Sequence, residues 1–394
     1  MPLFGLVQII ASRVIIGLIA LFTAFGLGTV SNPPARAIPE DTTAPIIEEI
    51  APVTEVVPIL PDAVIPEKIE PNRPTAIEKE NESPPPADVV EEEIAVTTTE
   101  SALIPASEIP LSFSYINTET AKALVNVLCT QHAAGTTSQI TGSGVIIDSR
   151  GVIITNAHVA QYFLLKDYPT KDGVECILRT GSPARAMYTA ELFYLPPIWI
   201  SLHAKDITNT EPKGTGEHDY AFLRITGRTD PSANLPVIFP YVPIDTDDVA
   251  LETGESVLAA AYPAGFLGSA TIQKDLYAVS SIATIAERFT FTDNLVDLIS
   301  IGGTIVSQGG SSGGAAVSHK NKLVGIIVTS TKADTTAERD LRAITLGHVN
   351  RSLAQHANTT IEGLLFGDIT LKAKLFNLGT APALTKLLEQ YLNQ

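Results

Sequence analysis

The chain has 394 residues, enough for more than one domain or for one large domain with appendages. Its formal net charge of −17 argues against a nucleic-acid partner, because neutralising phosphates requires clustered Lys and Arg side chains. Residues 38–110 hold 17 acidic and only 3 basic side chains, so most of this charge belongs to one segment.

The first 37 residues have the pattern of a targeting element. Arg13 is the only charge before a 17-residue apolar run, Val14 to Val30, and Ala35 and Ala37 then form an A-x-A cleavage pattern. Two interpretations stay open: a cleaved signal peptide, or a retained membrane tether through residues 14–30. Both predict that the rest of the chain is extracytoplasmic, either secreted or anchored to the membrane.

Residues 38–113 are interpreted as an acidic, proline-rich stalk. Of the 27 prolines in the chain, 13 lie between residues 38 and 110, together with the acidic excess and almost no aromatic residue. Such a composition cannot bury enough apolar area to offset chain entropy. The stalk is therefore predicted to be a disordered, self-repelling spacer.

From about residue 114, short runs rich in Val, Ile, Tyr and Phe predict an all-β body. Two β-branched runs flank Asp148–Gly151, which is typical of a hairpin. Further runs of this kind are AMYTAELFYL, YAFLRIT, ESVLAAAY, SSIATIAERFTF and KLVGIIVTST. Long amphipathic helices are missing between residues 130 and 345, which favours a barrel or a sandwich. Apolar spacing then predicts a helical extension over residues 351–394.

Cys129 and Cys176 lie in two apolar, strand-like runs. In an oxidising compartment they would form one disulfide; the alternative is two buried free thiols. Neither has a His at ligand spacing, so no zinc site is expected, and no metal or organic cofactor is needed.

Three polar residues each stand at the edge of a predicted strand. His158 follows the run GVIIT, Asp219 opens the run YAFLRI, and Ser312 lies within SQGGSSGGAAV. Singly they fit a surface histidine, a turn-forming aspartate and a linker serine. Together they supply a nucleophile, its base and an orienting carboxylate. Gly310 lets the backbone turn so that its N–H and that of Ser312 can both face an oxyanion.

The segments TNAHV, HDYAFL and GSSGGAAV resemble the signature segments of trypsin-like (chymotrypsin-fold) serine proteases, in particular bacterial exported HtrA/DegP-like and glutamyl-endopeptidase-like members. The resemblance covers roughly residues 120–350. It implies two packed six-stranded antiparallel β-barrels, residues 114–240 and 241–350, with the active site in the cleft between them. It also implies an endopeptidase that cleaves polypeptides through an acyl-enzyme.

The chain departs from these relatives in three ways. The residues after 350 are too few for a PDZ domain, no IVGG-like segment precedes the first barrel, and Ser311 stands where many relatives have Asn or Asp. Ser312 is the preferred nucleophile because it directly precedes two glycines, and Ser311 is the alternative. His218, beside Asp219, is interpreted as a flanking residue.

In this family the position six residues before the nucleophile forms the floor of the primary specificity pocket, and here it is Val306. With no Asp there, cleavage after Arg or Lys is disfavoured, and a small or apolar side chain at the cleavage point is expected. The strand GIIVTST would pair with the substrate backbone, with Thr329 and Thr331 lining the pocket.

Two other interpretations remain. GSSGG also fits the nucleophile elbow of α/β-hydrolases, with His319, His348 and His356 downstream, but the following AAVSHKNKLVGIIV is typical of a hairpin where that fold needs a helix. The chain could instead be an exported non-catalytic β-barrel binding module, a decayed protease. The oligomeric state is left open.

Overall fold

The computed structural model describes residues 111–133, 136–209, 214–248, 251–291, 295–330 and 333–394. The predicted targeting segment, and all but the last three residues of the predicted stalk, lie outside them. Within the described ranges, no helix is long and apolar enough to cross a membrane. Those last three stalk residues join the folded body, since Leu111 N donates to His319 O at 3.2 Å and Phe113 opens a helix.

The first half of the body is a closed six-stranded antiparallel barrel, preceded by α1 (Phe113–Ala123). Its strands are β1 (Leu124–Ala133), β2 (Thr136–Asp148), β3 (Val152–Thr155), β4 (Val174–Thr180), β5 (Arg185–Tyr194) and β6 (Ala221–Arg228). They neighbour one another in the order β1-β2-β3-β6-β5-β4. The predicted hairpin is present: β2 pairs with β3, and Gly151 adopts a φ of +84° in the turn, which favours glycine.

The second half is a curled seven-stranded antiparallel sheet in the order β8-β7-β11-β12-β13-β10-β9. Its strands are β7 (Ser256–Ala261), β8 (Val279–Thr284), β9 (Glu287–Phe289), β10 (Leu298–Ser300), β11 (Ala315–Ser318), β12 (Leu323–Ser330) and β13 (Leu341–Thr345).

A closed barrel of six strands was expected here, and the extra strand has a local cause. The run SSIATIAERFTF bends at Ile285 and Ala286. Ile285 N donates to Glu255 O (2.9 Å), whereas Ala286 N donates to Ser300 O (2.8 Å). The two halves of the run therefore pair with opposite edges of the sheet, β8 with β7 and β9 with β10.

Between residues 130 and 345 the described α-helices are short, as expected: α2 (Ala157–Ala160), α3 (Pro197–His203) and α4 (Ser269–Lys274). Four more follow β13, namely α5 (Leu346–Ala357), α6 (Ile361–Leu365), α7 (Ile369–Gly379) and α8 (Ala381–Leu392). The last two return to the first barrel, where α7 packs against β5 and α8 against α3.

Buried apolar side chains form one large cluster that runs through both halves of the body and a smaller one inside the second sheet. The large cluster contains residues from both sheets, such as Ile154, Phe222, Tyr262 and Leu323. A fully buried Leu, Ile or Phe side chain contributes about 1.5–3 kcal/mol relative to its exposed state. The shared core thus holds the two halves together.

Candidate active site

His158 lies in α2, directly after β3. Asn156 connects the two elements, and its Nδ2 donates to the main-chain O of Asp219 at 2.7 Å. This buried contact ties the start of α2 to the turn that carries Asp219. The sequence did not single out Asn156, and its only signal was its place in TNAHV beside His158.

Asp219 sits in a tight turn immediately before β6. Gly216 has a φ of +91° and His218 a φ of +60°, the latter in a region that residues with a Cβ rarely adopt. The turn is closed by two main-chain hydrogen bonds, from Asp219 N to Gly216 O (3.0 Å) and from Tyr220 N to His218 O (2.9 Å). It buries the Asp219 side chain and directs it toward α2.

Asp219 holds His158 with both carboxylate oxygens. Oδ1 accepts the main-chain N–H of His158 at 2.9 Å, and Oδ2 lies 2.7 Å from the imidazole Nδ1. With the ring proton on Nδ1, Nε2 keeps a lone pair for a proton from a nucleophile. The His158 side chain is 33% exposed and that of Asp219 only 10%, so the carboxylate lies behind the imidazole.

Burial and charge act in opposite directions on His158. Desolvation lowers the pKa of the imidazole, but the charge of Asp219 and its hydrogen bond together outweigh burial, so the pKa stands above its ordinary value. The ring is therefore a stronger proton acceptor, and it needs a higher pH to become neutral.

The two adjacent serines differ in accessibility. Ser311 is 1% exposed, and its Oγ has no hydrogen-bond partner among the described residues. Ser312 is half-buried, so solvent reaches part of it. In the described part of the chain no hydrogen bond yet joins the Ser312 hydroxyl to the His158 imidazole; such bonds are often long before substrate binds.

Three backbone N–H groups of the serine turn, defined as residues 310–314, are bonded: Ser311 N to Gln308 O (3.2 Å), Gly313 N to Ile327 O (2.8 Å) and Gly314 N to Ser311 O (2.9 Å). Within the described ranges, the N–H groups of Gly310 and Ser312 have no such acceptor.

The direction of the Gly310 N–H follows from the peptide before it. A trans peptide holds its C=O and its N–H antiparallel. The Gly309 carbonyl accepts from Ala264 N at 2.7 Å, so the N–H of Gly310 points the opposite way. Gly310 has a φ of +90°, and a Cβ there would lie 2.7 Å from the carbonyl O of Tyr262, so this position requires glycine.

Ser143 of β2 connects the serine turn to the first barrel through hydrogen bonds. Its N donates to Ser312 O at 2.7 Å, and its Oγ donates to Gly310 O at 2.8 Å while accepting from Tyr262 N at 2.9 Å. Its carbonyl accepts from Thr155 Oγ1 at 2.6 Å, three residues before His158. Ser143 thus links the serine turn to the strand that leads into α2.

Gly313 lies in close contact with the first barrel. A Cβ at this position would lie 2.1 Å from Ser143 O and 2.4 Å from Thr155 Oγ1, and its φ is +84°. The glycine after Ser312 is therefore required both by the backbone conformation and by the contact between the two sheets.

Only one of the three expected substrate-contacting residues has a described side chain. Val306 is fully buried in the core of the second sheet and brings no charge to the cleft. Thr329 pairs with Arg342 of β13, but its side chain lies outside the described part of the structure, as does all of Thr331. Near the serine turn, Phe266 is 65% exposed and Ile305 is 56% exposed.

Cys129 and Cys176 are opposite each other in β1 and β4 and form a disulfide. A cavity of about 680 Å³ opens beside this bridge, also lined by Tyr162 and Glu191, and it contains none of the candidate triad. Among the residues that the structure describes, no group of three or more His, Cys, Asp and Glu is arranged to hold a metal ion.

The strand β11 directly follows the serine turn, where the α/β-hydrolase interpretation requires a helix, so that interpretation is wrong. Residues 142–326 match the family model described as the trypsin-like peptidase domain. The matched range contains His158, Asp219 and Ser312 and ends within β12. No curated protein matches the chain.

Proposed function

The chain carries a trypsin-like peptidase domain at residues 142–326, and on that basis we propose that it is a serine endopeptidase with Ser312 as nucleophile, His158 as general base and Asp219 as orienting carboxylate. Polypeptides are the substrate class. The backbone N–H groups of Gly310 and Ser312 bind the oxyanion.

In this mechanism the Ser312 Oγ attacks the peptide carbonyl carbon while its proton passes to His158 Nε2. The tetrahedral intermediate collapses when His158 returns the proton to the leaving amine, which breaks the C–N bond and leaves an acyl-enzyme. Water then gives a proton to His158, adds to the acyl carbon and releases the acid, and Ser312 regains its proton.

The observation that carries the proposal is the hydrogen-bonded His158–Asp219 pair together with the N–H groups of Gly310 and Ser312, which have no acceptor within the described ranges. A His–Asp pair alone is not diagnostic, since His348 and Asp297 form another at 2.8 Å. Pre-aimed donors that bind no internal acceptor are what stabilisation of an oxyanion requires.

The chemistry of the cleft supports a small or apolar side chain at the cleavage point. Val306 provides no countercharge for Lys or Arg, and the exposed side chains of Phe266 and Ile305 near the serine turn are apolar. In the proposal the substrate backbone pairs with the end of β12 beyond Ile327, on the edge that β11 leaves open, with Thr329 and Thr331 beside the cleaved residue.

The proposal also places the peptidase outside the cytoplasm. The apolar run with Arg13 before it supports export, and the Cys129–Cys176 disulfide supports an oxidising compartment. Sequencing the amino terminus of the protein from membrane and soluble fractions tests this. A start after Ala37 indicates a cleaved signal peptide, an intact residue 14–30 segment in membranes indicates a tether, and recovery only from the cytoplasm contradicts export.

A fluorophosphonate probe, which labels activated serines, tests the catalytic assignment in the full-length chain. Wild type and Ser311→Ala should be labelled, and Ser312→Ala should lose labelling and peptide hydrolysis while unfolding at the same temperature. Loss of labelling only in Ser311→Ala would show that Ser311 is the nucleophile and that the assignment to Ser312 is wrong. A folded wild-type chain that is never labelled would favour the non-catalytic binding module.

A further inference from the structure

The side chain of His218 packs onto one face of α5. Its Nδ1 lies 2.9 Å from Ser352 Oγ, and its ring centre lies 4.9 Å from that of His356 and 6.2 Å from that of His348. Residues 348, 352 and 356 are four apart, so they share a face of the helix. This face of α5 therefore contacts His218, the residue that precedes Asp219.

Ser352 contacts both neighbours of Asp219. Its Oγ accepts the hydroxyl proton of Tyr220 at 2.9 Å, which leaves its own proton to donate to Nδ1 of His218. The proton of the neutral His218 ring then lies on Nε2, which faces Glu217 at 3.5 Å. Ser352, His218 and Tyr220 are all buried, so water does not compete for these bonds.

The helix that carries Ser352 is itself firmly held. Thr345 Oγ1 accepts from His348 N at 3.0 Å and caps its amino terminus. Asp297, which is 3% exposed, lies 2.8 Å from His348 Nδ1 and accepts from Arg351 at 2.8 Å. Asp248 forms a further ion pair with Arg351. Ser352 is thereby fixed relative to the second sheet.

A left-handed φ at a histidine persists only where the surrounding structure holds it. We propose that Ser352 is a positioning residue for catalysis: through His218 and Tyr220, its hydroxyl fixes the turn that aims the Asp219 carboxylate at His158. The inference rests on the proposed role of Asp219. It adds a residue of α5, outside the range 142–326 that matches the peptidase family, to the groups that position the candidate triad.

The test compares three variants of the full-length chain. Ser352→Ala should lower kcat by about 10- to 100-fold with KM little changed, because a shift of the orienting group of up to about 1 Å is costly in rate. The far-downfield proton resonance of the His158 Nδ1–H bonded to Asp219 should move or broaden. Ser352→Thr keeps the hydroxyl and should restore both readouts.

Asn350→Ala is the matched control. Asn350 lies on the opposite side of α5, half-buried, and its Oδ1 accepts from Ile361 N at 2.9 Å. This variant loses a comparable hydrogen bond of the same helix and should keep both kcat and the downfield resonance.

If Ser352→Ala keeps the wild-type kcat and resonance, or if Asn350→Ala loses them equally, the inference is wrong and the hydroxyl only stabilises the fold. If the wild-type chain is not labelled at Ser312, the proposed function fails separately. The resonance in Ser352→Ala still decides whether the hydroxyl positions Asp219.

Discussion

Asp219 uses one carboxylate oxygen for the main chain of His158 and the other for its ring. An amide of the same shape would keep an acceptor oxygen, but it would lose the negative charge and place an N–H donor in the site. The substitution Asp219→Asn therefore removes the negative charge while it keeps the size of the side chain.

For Asp219→Asn we expect kcat to fall by about 10⁴-fold, because the neutral ring would then favour the wrong tautomer. The acid limb of kcat/KM should also move. Protonated His158 cannot accept a proton, and the Asp219 charge holds its pKa above the ordinary value. Without that charge only burial remains, so the limb should shift to lower pH, as a profile from about pH 5 to pH 9 would show.

Glu217→Gln is the control for this prediction. Glu217 is a neighbouring carboxylate whose side chain is 41% exposed and which approaches His218 but not His158. As Gln it keeps an acceptor oxygen for the His218 ring and loses only its charge, so both kcat and the acid limb should stay unchanged. An acid limb that stays in place in Asp219→Asn would mean that the titrating group is not His158.

The sequence identified the candidate triad but not the residues that hold it. His158, Asp219 and Ser312 stood out because each lies at a strand edge inside a recognisable segment. Ser143, Asn156 and Ser352 are ordinary polar residues whose partners lie 167, 63 and 134 residues away in sequence. No local pattern reports such contacts, and only the fold brings them together.

At the scale of strands and helices, the sequence predicted an element correctly where its buried apolar residues recur with the spacing of a strand or a helix. The hairpin at Asp148–Gly151 was predicted from its β-branched flanks and turn residues. The helix α7 lies inside the predicted helical extension, but its own bounds were not predicted, and its exposed Leu371, Leu375 and Leu378 explain why. Apolar residues on the solvent side of a helix blur the spacing from which a buried face is recognised.

The β1–β4 disulfide gives an element-scale prediction. The bridge joins residues 47 apart, so replacing Cys129 and Cys176 together by Ala should lower the free energy of unfolding by about 4 kcal/mol in the chain-entropy view. Because the bridge joins β1 and β4 and the candidate triad lies on other elements, kcat at a temperature well below unfolding should not change. Denaturant titration with parallel kinetics measures both quantities.

A reducing agent provides the control. It should destabilise the wild-type chain and have no further effect on the double variant. If kcat falls together with stability at low temperature, the bridge affects the active site, and its role is not confined to the barrel wall.

At the scale of the whole molecule, the proposed mechanism depends on how the two sheets dock. His158 and Asp219 belong to the first barrel, and Ser312 lies in a turn of the second sheet. Ser143 bonds that turn from the first barrel at Ser312 O and Gly310 O. The spacing between His158 and Ser312 is thus set by a contact between the sheets.

For Ser143→Ala we expect kcat to fall by at least about tenfold with little change in KM, because the turn that carries the proposed oxyanion donors loses the side-chain bond to Gly310 O and keeps only the main-chain bond to Ser312 O. Stability should fall by about 1–3 kcal/mol, since the main-chain N–H of Tyr262 is left buried without its acceptor. Steady-state kinetics and thermal unfolding measure the two effects.

Ser138→Ala, at an exposed position of the same strand, should change neither quantity. A Ser143→Ala variant with wild-type kcat would show that the serine turn keeps its geometry without this anchor.

The helices α7 and α8 follow the second sheet in sequence but complete the surface of the first barrel. Asn377 Nδ2 donates to Leu192 O at 2.7 Å, and Thr385 Oγ1 donates to Leu164 O at 3.1 Å. The first barrel therefore cannot complete its surface until the last residues of the chain are present and have folded back onto it. A chain that ended before α7 would leave the surface around Leu192 and Leu164 uncovered.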